Sequence, residues 1–197
     1  TVDANLTLTY TLNTTGQLMV SQQLKVNPQA KAKPVLPRFG MTLVMPQAFD
    51  HIHYYGRGPI ENYWDRHTST FLGIYDQSVA SQYSPYIRPQ ESGNKTDVRW
   101  WSIYNASAGE GLTFTAPEPL EMASLNYLTS DLDGGPVKEA KQMHSGDLTA
   151  RPFTVVHIAQ RQMGLGCIDS WGAWPLGKYL IPYADHSFSF IITPGVK

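Results

Sequence analysis

The sequence is poor in cysteine and in charge, and it has no long apolar run. Cys167 is the single cysteine among 197 residues, so neither an internal disulfide nor a cysteine-rich zinc site can form. Charged residues make up 16% of the chain and the formal net charge is -1, where a charged fraction of about 25% is usual. Without a basic excess there is no electrostatic handle for nucleic acid, and without an acidic block there is none for a basic partner. No stretch approaches the ~18 apolar residues of a helical membrane span, so no membrane partner is expected. The opening residues, TVDANLTLTY, carry neither the charged nor the apolar region of a secretory signal. They read as a strand with no initiator Met, and the expectation is a chain cut from something longer. Serine-protease order, zinc spacing and phosphate-cradling loops are also missing. Gly56-Arg57-Gly58 and Gly164-Leu165-Gly166 are bare GxG triplets with no helix to follow, which argues against a dinucleotide site.

What the chain does have is aromatic residues, 12% of the total with 11 Tyr and 5 Trp, together with 14 Pro. Many aromatics at low charge suit a β-rich domain with broad loop-bound surfaces, or one that hides part of its surface against a neighbour. The apolar pattern agrees. Leu6, Leu8, Tyr10 and Leu12 alternate with threonines, the period of a half-buried strand. Asn13-Thr14-Thr15-Gly16 has turn chemistry, and Leu18, Val20, Gln22, Leu24 and Val26 continue the alternation on a return strand. Further strands are expected at 39–45, 49–55, 98–104, 111–115, 153–159 and 187–193. A helical turn or two is expected at 123–132, and residues 56–90 read as a long loop-rich stretch, a feature often tied to function. Ten or more short strands with Gly and Pro between them predict an all-β sandwich. With no repeat, low-complexity run or linker, residues 1–197 form one domain.

The stretch that draws attention is 162–174, QMGLGCIDSWGAW. Closely spaced glycines shape a loop sharply. A Trp held in such a loop offers an apolar face to a sugar ring, while a flanking Asp and Ser can bind hydroxyls. A buried Trp beside turn glycines gives the same string, and the residues alone leave both readings open. His51 and His53 share one strand face, but no third metal ligand is identifiable. Glu61, Asp65, Glu91 and Asp97 fall in loop-rich stretches. They could serve as an acid–base pair, or equally cap turns or pair with Arg57, Arg66, Arg88 or Arg99.

Three stretches read together resemble one family. Residues 54–66, YYGRGPIENYWDR, look like the YxGxGPxENYxDR signature of the C-terminal domain of glycoside hydrolase family 2 β-galactosidases. Residues 86–100, YIRPQESGNKTDVRW, and 162–172 fit the same domain, as does 36–40, LPRFG. The resemblance covers nearly the whole chain in the right order. It implies a large antiparallel β super-sandwich of the galactose-mutarotase-like type. It also implies that the two catalytic glutamates lie in a separate (β/α)-barrel absent from this chain, so none of its residues is catalytic, Glu61 and Glu91 included. Any Mg2+ or Na+ would belong to that catalytic domain, leaving this chain without a cofactor of its own. The family contributes a Trp from its DSW segment that stacks on the sugar, and by position this is Trp171. Asp169 and Ser170 flank it as substrate-binding candidates, with Glu91 and Asn94 behind them. The implied partners are a β-galactoside or galactose, the other domains of the same chain and a further copy in a homo-oligomer. Two positions depart from the family pattern: Cys167 stands where a second Gly is frequent, and Ala159 where an Asp is common. The alternative is a carbohydrate-binding or mutarotase-like module acting on free aldoses, with His51, His53, His144 and Glu91 as the available acid and base groups. The signature around Glu61 and Arg66 is expected to hold a loop rather than a ligand.

Overall fold

The computed structural model describes residues 3–135, 144–166, 169 and 172–196. Nine strands form one antiparallel sheet system in which β1 (Ala4–Leu12), β2 (Leu18–Val26), β9 (His186–Val196), β7 (Glu110–Leu125), β6 (Lys95–Tyr104), β4 (His51–Gly58) and β5 (Phe71–Ser78) lie side by side in that order. Among the described residues β3 (Arg38–Pro46) pairs only with β8 (Phe153–Gln162), and β8 joins β7. The chain is an all-β antiparallel sandwich.

The 16-residue β7 makes two layers out of one sheet. Residues 110–115 lie between β6 and β9, whereas 121–125 pair with β8 and Leu120 and Met122 remain paired with β6. Pro117 and Pro119 stand between the two halves. A proline has no N–H to give to a ladder, and here the β6–β7 register shifts and β7 exchanges its neighbour β9 for β8. The core fills the space between. Ile52 and Tyr54 on β4, Trp101 and Ile103 on β6, Phe114 and Met122 on β7, Val156 and Ile158 on β8 and Phe190 on β9 are all fully buried. Tyr54 stacks on Trp101 with ring centroids 4.7 Å apart. Burying each such side chain is worth roughly 1.5–3 kcal/mol, and the alternation read along β4 and β8 supplies them to a single face.

Four expectations need correction. β5 lies inside the stretch expected to be loop. Its apolar residues Phe71, Leu72 and Ile74 are exposed, while Gly73 and Tyr75 are half-buried, so the alternation that betrays a strand is inverted. Residues 123–125 continue β7, and within the expected stretch helix begins only at α1 (Thr129–Leu132). Among the described residues there are nine strands instead of ten or more: the eight spans named from the sequence, one of them lengthened into β7, together with β5. Finally, β1 pairs with β2 in the expected register, but its apolar face is not half-buried. Leu6, Leu8, Tyr10 and Leu12 are 54%, 41%, 55% and 70% exposed. β1 is the edge of the sheet and no described layer covers it.

His157 on β8 is buried, with Nδ1 3.0 Å from Thr42 Oγ1. Burial, reinforced by the Arg38 charge, pushes its pKa down to about 3. The unfolded chain takes up a proton near pH 6.5 that the folded domain refuses until about 3. The stabilisation is therefore complete above pH 6.5 and is lost as the pH falls below it, by up to ~1.4 kcal/mol per pH unit. His157→Asn is expected to flatten this part of a denaturation-midpoint profile between pH 4 and 6.5. Parallel wild-type and variant profiles would show that His157 titrates normally.

Candidate functional site

The segment after β4 is tied down by buried polar side chains. Asn62 is wholly buried. Its amide donates to the Arg57 and Ile60 carbonyls at 3.0 and 3.1 Å, and its Oδ1 accepts from Thr96 N–H and Oγ1 at 2.9 and 2.6 Å. Glu61 Oε1 accepts from Arg66 at 2.7 Å and from the Tyr86 hydroxyl, while Oε2 accepts from Gly93 N–H at 2.8 Å and Tyr63 Oη at 3.2 Å. Burial and the Glu61 carboxylate push the Tyr63 phenol well above its ordinary pKa, so it remains a donor. Glu91 receives Arg38 at 2.6 Å, and the same guanidinium donates to Gln162 Oε1, also at 2.6 Å. Burial raises the Glu91 carboxyl, with Arg38 opposing it. Asn94 is buried and donates to Asn62 O at 2.9 Å and Glu121 Oε2 at 3.1 Å. The ENY and QES stretches thus clamp each other and β6, and Arg38 ties them to β8.

That clamp carries the glycine loop. Met163 N–H donates to Pro37 O at 3.0 Å, Gly164 N–H to Tyr179 O at 2.8 Å and Gly166 N–H to Asp65 Oδ2 at 2.9 Å. Only glycine fits at 164, where a Cβ would lie 2.5 Å from Asp65 Oδ2 and 2.9 Å from Tyr179 Cβ. At Gly166 φ is +73° and a Cβ would meet Ala173 O at 3.0 Å, so the loop doubles back on itself. Asp169 is exposed, and its Oδ1 accepts Ala173 N–H at 3.2 Å. Trp171, Ser170 and Cys167 lie outside the described residues. Trp64 sits under the loop, its indole N–H donating to Tyr179 O at 3.1 Å.

The histidines are not gathered. His51 contacts Asp50 Oδ1 at 2.9 Å, His53 packs edge-on against Trp100, and His144 opens the short 3-10 turn Ser145–Asp147. The contacts of Glu91 are with Arg38 and its own neighbour Ser92 rather than with any of them. Among the described residues no group of three His, Cys, Asp or Glu is placed to hold a metal. What sequence reasoning misses is the role of Asp65 and of the Pro37 and Tyr179 carbonyls. Asp65 and Gly166 are 101 residues apart, and no local pattern announces their contact.

The beta galactosidase small chain family matches residues 1–192. The chain is 38% identical over 94% of its length to a protein named beta-galactosidase from Priestia megaterium, of which it spans 17%. It is 36% identical over 85% of its length to one from Lactobacillus delbrueckii subsp. bulgaricus, spanning 15%. A third, from Pseudoalteromonas haloplanktis, is 32% identical over 95% of the chain, which spans 16% of it. With 192 of its residues matched, the chain belongs to the beta galactosidase small chain family.

Proposed function

We propose that this chain is the accessory domain of a family 2 β-galactosidase and supplies one wall of the sugar site, with Trp171 as the stacking surface. The bond-breaking carboxylates are contributed by the remainder of the longer protein. One observation carries this reading: the loop that bears Trp171 rests on a prearranged base, with Gly166 N–H on Asp65 Oδ2 at 2.9 Å and Gly164 N–H on Tyr179 O at 2.8 Å. A wall of this kind works by orienting the substrate, which lowers a barrier without making or breaking a bond. Asp169 and Ser170 are the flanking hydroxyl-binding groups. Glu91 and Asn94 act behind them, as positioning residues within the clamp.

In the full-length protein, Trp171→Ala is expected to raise KM for a nitrophenyl β-galactoside about tenfold, the worth of one aromatic stacking contact, with a smaller change in kcat. The 197-residue chain alone, as the matched control, turns over none. Wild-type KM and kcat in the variant would show that Trp171 lies away from the sugar.

A further inference from the structure

The exposed stripe on β1 has the make-up of an interior surface. Leu6, Leu8, Tyr10 and Leu12 stand opposite Leu24, Gln22, Val20 and Leu18 of β2. Val20, Gln22 and Leu24 are buried, and residues directly opposite in an antiparallel ladder share a face. The stripe therefore continues the core face one strand further out. The other face of β1 carries Thr7, Thr9 and Thr11, which suit water. The nine residues of β1 include no charge and no proline, whereas strands left at an open edge are commonly guarded by one or the other.

The second layer stops short of this stripe. From β7 outward the first layer runs through β9, β2 and β1, the second only through β8 and β3. β3 reaches as far as β2: Phe39 clusters with Leu24, and Ala4 and Val26 pack against them. Further along β3, Met41 and Leu43 are only half-buried, and among the described residues no strand pairs with its other edge. A strand added to that edge would lie about 4.8 Å from β3 and about 10 Å from β1, under the stripe. It would satisfy the free backbone groups of β3 and cover the apolar side chains of β1 together. We infer that the second layer is completed by at least one further strand, paired with the free edge of β3 and supplied by the remainder of the same longer polypeptide, with alternate apolar residues facing Leu6, Leu8, Tyr10 and Leu12. The chain spans 15–17% of the relatives it matches, and a covalently attached segment meets the stripe at high effective concentration. A second copy pairing β1 with β1 would lengthen the open face instead of covering it. The inference takes from the proposed function only that the chain is part of a longer protein, and it does not depend on Trp171.

The test uses the full-length protein. In Tyr10→p-benzoylphenylalanine, irradiation is expected to cross-link β1 to a segment outside these 197 residues. The product should run at the mass of one chain on a denaturing gel, and mass spectrometry of the captured peptide identifies the segment. In the unsubstituted protein, hydrogen exchange is expected to leave nearly all β3 amides protected, against about every second one if β8 is its sole partner. The exchange measurement decides the matter if the substituted protein does not fold. A stripe that captures no part of its own chain overturns the inference, as does a β3 in which every second amide exchanges freely. Capture at twice the chain mass overturns it in favour of a second copy. The kinetics of Trp171→Ala are read separately, so the failure of one proposal is distinguishable from the failure of the other.

Discussion

Glu61→Ala will destabilise the domain by about 3 kcal/mol, the cost of leaving the donors around a buried carboxylate unpaired. The Glu61 side chain is 6% exposed and receives Arg66, Tyr86, Tyr63 and the Gly93 N–H. Its loss strands the two phenols and the backbone donor, whereas Arg66, whose side chain is half-exposed, regains water. For a domain of this size that is a fall of roughly 6–12 °C in Tm, and a large part of the ~5–15 kcal/mol by which folded domains are stable at all. Glu61→Gln keeps the shape and one acceptor oxygen and should cost less than half as much. Thermal or urea denaturation of the two variants checks both statements. An alanine variant melting within about 2 °C of the wild type would mean that the clamp closes without this carboxylate. The result also bears on catalysis. A glutamate so fully engaged by its own domain is a structural carboxylate, and its variants should act on stability before they act on turnover.

Asp65→Ala is expected to do the reverse. Asp65 contributes one hydrogen bond to the loop, from Gly166 N–H, so the stability loss is about 1 kcal/mol. Its Cγ lies where only a glycine at 164 allows it, so removing it also frees the loop to sag into the vacated space. In the full-length protein, kcat/KM for a β-galactoside is expected to fall by about 10–100-fold, because a displacement of ~1 Å in an orienting wall costs that much. Asp65→Asn retains an acceptor oxygen at the same reach and should restore most of it. A residue that merely supported the fold would not divide in this way, with activity lost, melting hardly changed and the amide rescuing. Wild-type kcat/KM in Asp65→Ala would place the control of the loop elsewhere, at the Pro37 and Tyr179 carbonyls.

Much of the fold was legible in the chain. β1 and β2 announce themselves as a hairpin through period-2 alternation around Asn13-Thr14-Thr15-Gly16, whose Asn13 Oδ1 accepts from the Thr15 and Gln17 N–H groups at 3.0 and 2.9 Å. The same alternation marks β3, β4, β8 and β9. These signals are local, since a strand shows one face to the core and each residue records which side it is on. β5 escaped because its apolar residues face outward, and the second half of β7 because the run after Pro119 carries no alternation once both its faces are buried. The candidate site divides along the same line. The glycine loop and its Asp-Ser-Trp triplet can be seen in the string, as can the two long signatures that place the chain in its family.

By itself, then, the sequence determined an antiparallel all-β domain, the pairing of its first strands, the loop of interest and the family. The tertiary structure decided what the polar residues of those signatures do: Glu61 and Asn62 as the clamp, Arg38 as the tie between Glu91 and Gln162, and Asp65 as the seat of the loop. The physical reason is separation along the chain. Hydrogen bonds such as Gly166 to Asp65, 101 residues apart, and Arg38 to Gln162, 124 apart, exist only because β3 and β8 pair and β7 crosses between layers, and no local pattern carries a trace of that geometry.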